Sequence, residues 1–365
     1  MSVVLPSVRP TGLSLPESAA PVRRVDPNRP DEVASALQRC LGIAGLSYLE
    51  RPQAICWGWE TFTYRLQFAA SPSLPAPLAG PLILRIYTSP QGVPRAHHEF
   101  AMQQRLRRLD FPVPEPLLIH TNCELFGGPF LLMERIPGET LFHTMLARPS
   151  KLLSLPARMA ALHLHLHRLS SESLVASAAG FLDRTLDELG ELIAAYELRG
   201  LQPGLDWLSG HGPKPGHETA IVHLDWHPLN LIRDDQDRLW ALDWSEADMG
   251  DPHADVAMTL VLLRYAPVEC RTWWDSIAVP LGRDWIVRRY WYPYSRQRRL
   301  DERRLSYFLA WAVLRRLVFY GRWLVGGLAS TGSKKEVLRY LQRSHLDELC
   351  RAFHGWTGVE IRCWT

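Results

Sequence analysis

The sequence has little of several features that would place it in other classes of protein. Its six cysteines are scattered with no paired metal-ligand spacing, which argues against a zinc module and predicts reduced thiols. With 41 basic against 38 acidic residues, the net charge of +3 is too small to indicate a nucleic acid or an anionic membrane as partner. The most apolar segment, residues 305–328, is interrupted by arginines and therefore predicts a buried helix instead of a membrane span.

Targeting signals and the common phosphate-binding motif are also missing. The first residues show no basic stretch followed by an apolar run, so no targeting signal is evident, and the scattered cysteines fit reduced thiols in a cytoplasm. No Walker-type phosphate loop occurs in the chain. The glycine-rich stretch 210–216 contains two prolines, which lack backbone donors, so we interpret it as a linker. A hydrophobic content of 47% and a charged content of 22% are typical of a globular protein.

Most of the chemical information lies in one stretch, residues 221–232, which has the pattern of a short apolar strand, a polar loop and a second apolar strand. The loop carries four side chains capable of chemistry: His223, Asp225, His227 and Asn230. A further apolar strand, residues 239–242, ends in Asp243. Two carboxylates and one amide at the ends of neighbouring strands suit phosphoryl transfer from a metal-bound nucleotide, where catalysis is mostly positioning plus charge neutralisation.

The spacing of these residues makes the pattern specific. The loop reads His-x-Asp-x-x-x-x-Asn, the order of a kinase catalytic loop, and Asp243 opens a second acidic segment that ends at Pro252. On these two segments the chain resembles the aminoglycoside phosphotransferase and choline kinase-like family. The alternative is two ordinary loops with chance Asp and Asn caps.

The resemblance implies an α+β fold of two lobes, similar to protein kinases, with a small β-rich N-lobe and a larger, mostly helical C-lobe. Residues 1–30, rich in proline and serine, predict a flexible tail. Residues 31–136 would then form the N-lobe, with the nucleotide-binding sheet and one helix. Residues 137–365 would form the C-lobe, with the catalytic loop and the substrate pocket.

The resemblance also implies ATP and Mg²⁺ as cofactors and assigns roles to the loop residues. Asp225 would orient the acceptor hydroxyl and take its proton, and His223 would brace the loop. Asn230 and Asp243 would hold Mg²⁺, a hard cation that prefers oxygen ligands. The implied reaction is transfer of the γ-phosphoryl group to a hydroxyl of a small molecule.

Nucleotide-binding residues are expected in the N-lobe. Arg85 lies within an apolar strand and Glu99 on the following helix, and such a pair holds nucleotide phosphates in kinases. The family usually has lysine at the position of Arg85, and the planar guanidinium of arginine would bind phosphates with a different geometry from the compact ammonium of lysine. The alternative is that Arg85 is an exposed arginine on an edge strand. Gly58 is the only glycine of the turn that would cover the phosphates, and a plain hairpin turn fits equally well. The backbone from Glu134 to Ile136 would meet the adenine.

Three residues are candidate substrate contacts: Trp226, His227 and Glu246. Trp226 follows the proposed base and could stack on a ring or hold a quaternary amine, with core packing as the alternative. His227 either bonds the loop backbone or approaches the substrate. The Arg-rich stretch 283–304 does not suggest the acidic wall that a polycationic aminoglycoside needs, so a small metabolite or a macrolide-like hydroxyl compound is favoured.

Other patterns bear on the loop and on competing functions. His163 and His167 share a helix face, but no third metal ligand is evident near them. Leu224 and Leu229 occupy positions where the family often has glycine, which disfavours a positive φ there. A non-catalytic nucleotide-binding scaffold on the same fold is the main competing function. A nucleic-acid binder using stretch 283–304 is the other, although we expect neither a nucleic acid nor a membrane as partner.

Overall fold

The computed structural model describes residues 25–26, 28–55, 61–87, 92–169, 180–214, 219–266, 275–325 and 343–363. Most of the predicted tail and the turn that contains Gly58 lie outside these ranges. None of the described helices is both long enough and apolar enough to cross a membrane.

Within the described ranges, the N-lobe consists of a five-stranded antiparallel sheet and two helices. Its strands, in the order β1-β2-β3-β5-β4, are β1 (Tyr48–Ile55), β2 (Thr61–Phe68), β3 (Pro81–Tyr87), β4 (Pro116–Cys123) and β5 (Gly128–Glu134). The helices are α1 (Pro30–Leu41) and α2 (Gly92–Arg108). α1 closes one face of the sheet, where its apolar side joins a core with β2 and β3.

The period of two along β3 decides what faces the cleft. Leu82, Leu84 and Ile86 point into the core beneath α1. The alternate residues, Ile83 and Arg85, therefore point to the opposite face, where both line the main cavity. The polar side chain inside an apolar strand is thus placed at the cleft by the pleat of the strand.

In the part of the C-lobe that the structure describes, helices predominate and there are two small sheets. β6 (Glu139–Thr140), β8 (Leu231–Arg233) and β9 (Leu239–Ala241) form one sheet, and β7 (Ala220–Val222) pairs with β10 (Asp248–Gly250) in the other. The helices are α3 (Leu141–Ala147), α4 (Leu155–Arg168), α5 (Phe181–Ala195), α6 (Gln202–Gly210), α7 (Pro252–Tyr265), α8 (Asp275–Gln297), α9 (Glu302–Val325) and α10 (Arg343–Thr357).

Helix α7 lies at the centre of the C-lobe and is buried on almost every side. Its start is well defined, because Pro252 occupies the first turn and the Asp251 side chain caps the helix by accepting a 2.8 Å hydrogen bond from the His253 N–H. The apolar residues of α7 pack mainly against α9. This packing holds the first turn of α7, which contains Asp255, directly beneath the loop between β7 and β8.

The two-lobed α+β architecture is confirmed, with some differences in detail. Residues 305–325 of the apolar segment belong to a C-lobe helix, as predicted, although α9 begins earlier, at Glu302, and residues 326–328 lie outside the described ranges. The short helix α6 ends at Gly210, the first residue of the stretch interpreted as a linker. Cys40 is disulfide-bonded, so the expectation of reduced thiols is wrong for this residue. Cys350 and Cys363 are free.

Candidate active site

The loop between β7 and β8 is closed by hydrogen bonds among its own polar residues. The Asn230 side-chain amide donates to Asp225 Oδ2 (2.8 Å) and to the Asp225 carbonyl (3.0 Å). The Asn230 N–H donates to the His227 carbonyl (2.9 Å). Both hydrogens of the Asn230 amide are thus used within the loop, which turns its oxygen towards other ligands. The structure brings Asp225 and Asn230 together, as the spacing predicted.

His223 is buried and links this loop to the next acidic segment. Its Nε2 lies 2.9 Å from the Leu242 carbonyl, and its Nδ1 accepts a 3.2 Å hydrogen bond from the Asp225 N–H. These partners assign the neutral tautomer with the proton on Nε2, because a carbonyl can only accept. His223 therefore holds the strand end that precedes Asp243 against the residue proposed as base.

Asp255 supports the loop from below. Its Oδ2 accepts from the His223 N–H (2.6 Å), and its Oδ1 accepts from the Leu224 N–H (2.8 Å). The carboxylate is fully buried. Burial alone would raise the pKa of Asp255, but the neighbouring His163 and the hydrogen bonds from His163 and His167 outweigh burial and hold this pKa well below its usual value.

The two histidines of α4 do have an acidic neighbour, contrary to the sequence-based expectation. Asp255 Oδ2 lies 2.9 Å from His163 Nε2 and 3.1 Å from His167 Nε2. The opposite ring nitrogens lie 2.7 Å from the hydroxyls of Tyr290 and Tyr294. Although the three side chains could hold a metal by proximity, hydrogen bonds already occupy both nitrogens of each ring. We interpret the cluster as a buried brace between α4, α7 and α8.

Two residues near the proposed chemistry have a positive φ. Leu224 has φ of 59° and so has Asp243. The expectation that leucine disfavours this conformation is wrong for Leu224, whose strained backbone is held by its N–H bond to Asp255 and by burial of its side chain. Leu229 is not among the described residues with positive φ, so the expectation holds there.

Arg85 connects the two lobes. Its Nη1 donates to Glu99 Oε1 (2.7 Å), its Nη2 to Asp243 Oδ1 (2.9 Å) and its Nε to Thr61 Oγ1 (3.2 Å). β3 is an inner strand and the Arg85 side chain is 12% exposed, so the alternative of an exposed arginine on an edge strand is wrong. Burial would lower the pKa of Arg85, but Asp243 and Glu99 outweigh it and raise this pKa.

Glu99 is fully buried and receives a second hydrogen bond, from the Tyr87 hydroxyl. Burial raises the pKa of this carboxyl, although the charge of Arg85 opposes the shift. The predicted pairing of a strand cation with a helix glutamate is therefore present in the structure, with arginine as the cation.

Asp243 and Asn230 both line the cavity and carry side-chain oxygen atoms. Asp243 Oδ1 accepts from Arg85 and from the Ser245 hydroxyl (2.8 Å). Within the part of the chain that the structure describes, Asp243 Oδ2 has no hydrogen-bond donor. Burial would raise the pKa of Asp243, but Arg85 outweighs it and the pKa is lowered. An ionised carboxylate and an amide oxygen are ligands of the kind that Mg²⁺ prefers, so the donor set fits this ion.

A cavity of about 370 Å³ runs along the cleft from the N-lobe sheet to α9. Glu134 and Ile136, the predicted adenine contacts, both line it. The N–H groups of Glu134 and Arg135 already donate to the carbonyls of Glu115 (2.9 Å) and Pro81 (3.0 Å). Among the described residues no acceptor faces the Ile136 N–H, which leaves this group for a ligand.

The three candidate substrate contacts are placed differently. Trp226 is fully buried, stacks on His163 at 4.7 Å and donates to the Met159 carbonyl, so its side chain lies in the core and does not reach the cavity. His227 lines the cavity; its Nδ1 accepts from the Leu229 N–H (3.2 Å) and its Nε2 lies 3.3 Å from Asp225 Oδ2. Glu246 also lines the cavity, paired with Arg315 and, at 3.6 Å, with Arg95.

Two arginines of α9, not singled out from the sequence, reach the same cavity. Arg316 Nη1 lies 4.0 Å from Asp225 Oδ1, and Arg315 pairs with Glu246. Burial would raise the pKa of Asp225, but His227 and Arg316 outweigh it and keep this pKa far below the usual carboxyl range. The only sequence signal was a pair of arginines interrupting an apolar helix, which does not reveal the direction that they face.

The model of the family described as "Phosphotransferase enzyme family" (APH) matches residues 57–294, well over half of the chain. The chain belongs to this family. The matched region includes the N-lobe sheet from β2 onward, the loop with Asp225 and the acidic segment with Asp243.

Curated relatives of this phosphotransferase family member are larger proteins. Acyl-CoA dehydrogenase family member 11 of Pongo abelii is 28% identical over 184 residues, which are 45% of this chain and 23% of that protein. Acyl-CoA dehydrogenase family member 10 of Mus musculus is 28% identical over 200 residues, which are 51% of this chain and 18% of that protein. The chain therefore matches less than a quarter of the length of these relatives.

Solved structures of the same fold cover nearly the whole chain. A putative aminoglycoside phosphotransferase of Ralstonia eutropha JMP134 has a TM-score of 0.57 at 19% identity, covering 91% of this chain and 98% of that one. A thermostable mutant of aminoglycoside phosphotransferase APH(4)-Ia, in complex with AMP-PNP and hygromycin B, has a TM-score of 0.57 at 15% identity. The match covers 89% of this chain and 99% of that one. Amicoumacin kinase hAmiN, in complex with AMP-PNP and Ca²⁺, has a TM-score of 0.55 at 16% identity. The match covers 90% of this chain and 96% of that one.

Proposed function

We propose that this protein transfers the γ-phosphoryl group of ATP to a hydroxyl of a small molecule. The observation that carries the proposal is that Asp225, Asn230 and Asp243, separated in the sequence, all line one cleft cavity between the lobes. Membership of the phosphotransferase family and the AMP-PNP complexes of two structural neighbours support it.

In the proposed reaction the acceptor hydroxyl binds at Asp225 and attacks the γ-phosphorus. A bond forms between the acceptor oxygen and phosphorus, the bridging bond to the β-phosphate breaks, and ADP leaves. The hydroxyl proton passes to Asp225, whose lowered pKa keeps it ionised and able to accept the hydrogen bond from the hydroxyl at neutral pH. Asn230 keeps this carboxylate in place through its 2.8 Å hydrogen bond.

Nucleotide binding is assigned to groups on both lobes. Asn230 and Asp243 would hold Mg²⁺, which supplies neutralisation of the phosphate charge when bound. Arg85, steadied by Glu99, faces the same end of the cavity and would bind phosphate oxygens. The N–H of Ile136 would donate to the adenine at the other end.

The test is a mass-spectrometric screen for phosphorylated products from a library of hydroxylated metabolites and antibiotics. We expect an ATP-dependent and Mg²⁺-dependent product, and a loss of turnover of about a hundredfold or more in Asp225→Asn, the usual scale for a positioned base. Asp235→Asn is the matched control, because Asp235 is exposed and lies in the turn after β8. Normal turnover in Asp225→Asn would show that another group acts as base.

A second candidate function is nucleotide binding without transfer. One observation favours it: Arg85 already forms an ion pair with Asp243, the carboxylate proposed to hold the metal. ATP would then raise the melting temperature without any product from the acceptor library. In that case no turnover is detected with either the original protein or Arg85→Lys, in which an ammonium replaces the planar guanidinium. In an active enzyme the same substitution changes a measurable rate of turnover.

A further inference from the structure

The part of the cavity around Asp225, where the proposed acceptor would bind, is rich in arginine. We call it the acceptor end and define it by Arg95, Asp225, Glu246, Arg315 and Arg316. It contains three guanidinium groups and two carboxylates, so its fixed charge is positive. The side chains of Arg315 and Arg316 are each only 17% exposed, which means that both charges are largely removed from solvent.

Arg316 is held in a fixed orientation. Its guanidinium carbon lies 4.8 Å from the ring centroids of both Phe319 and Tyr320, and Nη2 donates to the Tyr320 hydroxyl (3.0 Å). Its Nε is buried and has no acceptor among the described residues. A buried donor without an acceptor is costly, so a ligand oxygen that reaches it gains affinity. Stacking fixes the fork before a ligand arrives, which lowers the entropy lost on binding.

The position of Arg316 relates it to the reacting hydroxyl. Its Nη1 is 4.0 Å from Asp225 Oδ1, so a hydroxyl that binds Asp225 brings the neighbouring atoms of the acceptor against the guanidinium. A guanidinium binds carboxylate or phosphate through two parallel hydrogen bonds. A polycationic acceptor would instead place its amines beside three arginines.

We propose that the acceptor is a small hydroxylated molecule that carries a carboxylate or phosphate group near the reacting hydroxyl, and that Arg316, assisted by Arg315, binds this acidic group. The inference rests on the proposed phosphoryl transfer and specifies its substrate class. It differs from what the structural neighbour in complex with hygromycin B accommodates.

An adjoining cavity gives room for the rest of such a molecule. It measures about 380 Å³ and has lining residues in common with the first: Arg95, Leu224, Ser245, Glu246 and Arg315. Its further lining includes Arg184 and Asp248, which pair at 2.8 Å. The acceptor is therefore not limited to the volume beside Asp225.

The first experiment compares acceptors that share one skeleton and differ in charge, using the full chain with ATP and Mg²⁺. Glycerate, glycerol 3-phosphate, glycerol and 3-amino-1,2-propanediol serve as the carboxylate, phosphate, neutral and cationic members. We expect one of the two acids to exceed glycerol in kcat/KM by about tenfold or more, the value of a charge-assisted hydrogen bond, and the amine to be the poorest. The ratio of kcat/KM for glycerate to kcat/KM for glycerol 3-phosphate shows which acidic group is preferred.

Variants separate acid binding from other roles of Arg316. Arg316→Gln should lower kcat/KM for the preferred acid about tenfold to a hundredfold and bring it close to the value for glycerol, while Arg316→Lys restores part of the difference. Arg303→Gln, an exposed arginine on the same helix, should change nothing. An equal loss for acid and neutral acceptors would overturn the proposal, because Arg316 would then act on the base or the nucleotide. Should Arg316→Gln not fold, Glu246→Gln frees Arg315 and should raise kcat/KM for the acid.

A binding measurement covers the case in which none of the four is phosphorylated. Millimolar glycerate or glycerol 3-phosphate should raise the melting temperature more than glycerol does, and this difference should disappear in Arg316→Gln. Equal shifts for acids and glycerol would overturn the acid-binding site. Acid-specific shifts without any nucleotide binding or phosphorylated product would instead overturn the proposed phosphoryl transfer and leave the site standing.

Discussion

The carboxylate of Asp255 accepts a 2.8 Å hydrogen bond from the backbone N–H of Leu224, a leucine with φ of 59°. A helix at the centre of the C-lobe thereby fixes the loop residue that directly precedes Asp225. The loop owes its shape to this buried carboxylate, and the family's frequent glycine is not needed at this position.

Replacing Asp255 with asparagine should weaken both stability and activity. The amide keeps the size of the side chain but loses the charge, and its NH₂ group faces donors that Asp255 now accepts from. We expect a loss of about 3–5 kcal/mol in the free energy of unfolding, the usual cost of breaking a buried charged network. Urea unfolding measures it, with exposed Asp235→Asn as the control that should change little. A fully stable Asp255→Asn variant would contradict the bracing role.

Leu224→Gly tests whether strain or burial dominates at the positive φ. Glycine removes backbone strain of about 1–2 kcal/mol, but it also removes a side chain that is 4% exposed, whose burial stabilises by about 1.5–3 kcal/mol. The lost burial outweighs the relieved strain, so we expect the free energy of unfolding to decrease by about 1 kcal/mol. Leu224→Ala, which keeps the strain and loses the side chain, should be the less stable of the two variants in the same urea titration.

Stability should fall in mild acid because of His167. Burial, with the neighbouring His163 assisting, lowers the pKa of His167 from 6.5 to about 4. Between these values the unfolded chain binds a proton that the folded protein does not, so the free energy of unfolding decreases as the pH falls through this window. The slope reaches at most about 1.4 kcal/mol per pH unit for one such group. His345, whose pKa burial also lowers to about 4, adds to it.

Urea unfolding at about pH 7 and about pH 5 measures this slope. His167→Gln should make it shallower, since glutamine does not titrate, whereas the exposed His354→Gln should leave it as it is. A slope that is the same in His167→Gln and in the original protein would contradict the assignment of a neutral His167 in the folded state.

The effects on stability of replacing Arg85 and of replacing Glu99 should be strongly coupled. Arg85→Met leaves Glu99 fully buried with only the Tyr87 hydroxyl as partner, which should cost about 3–5 kcal/mol of stability. The double variant Arg85→Met with Glu99→Leu removes the orphaned carboxyl and should recover part of this loss. Arg65→Met, on the exposed face of β2, is the control and should cost less than about 1 kcal/mol. Additive effects in the double-mutant cycle would contradict the coupling.

The sequence was sufficient where the relevant rule is local. The spacing of Asp225 and Asn230 within one loop, and the alternation that turns Arg85 towards the cleft, both depend on neighbours in the chain. The two-lobed fold followed from the order of such elements together with the family resemblance.

The sequence was insufficient where tertiary packing decides. Trp226 directly follows Asp225, yet it turns into the core because α4 offers a stacking partner and a carbonyl there. Leu224 takes a positive φ because a residue 31 positions away in the chain holds its N–H. Arg315 and Arg316 lie in an apolar helix, and only the packing of α9 against α7 shows that they reach the cavity.

Arg85 has a last consequence, because its guanidinium contacts Glu99 in one lobe and Asp243 in the other. Other contacts also join the lobes, since Arg95 pairs with Glu246 and His98 Nε2 lies 2.6 Å from the Ala247 carbonyl. The contact through Arg85 differs from these because it ends on the carboxylate proposed to hold the metal. A ligand that draws Asp243 away from this arginine therefore removes one contact between the lobes and leaves the others in place.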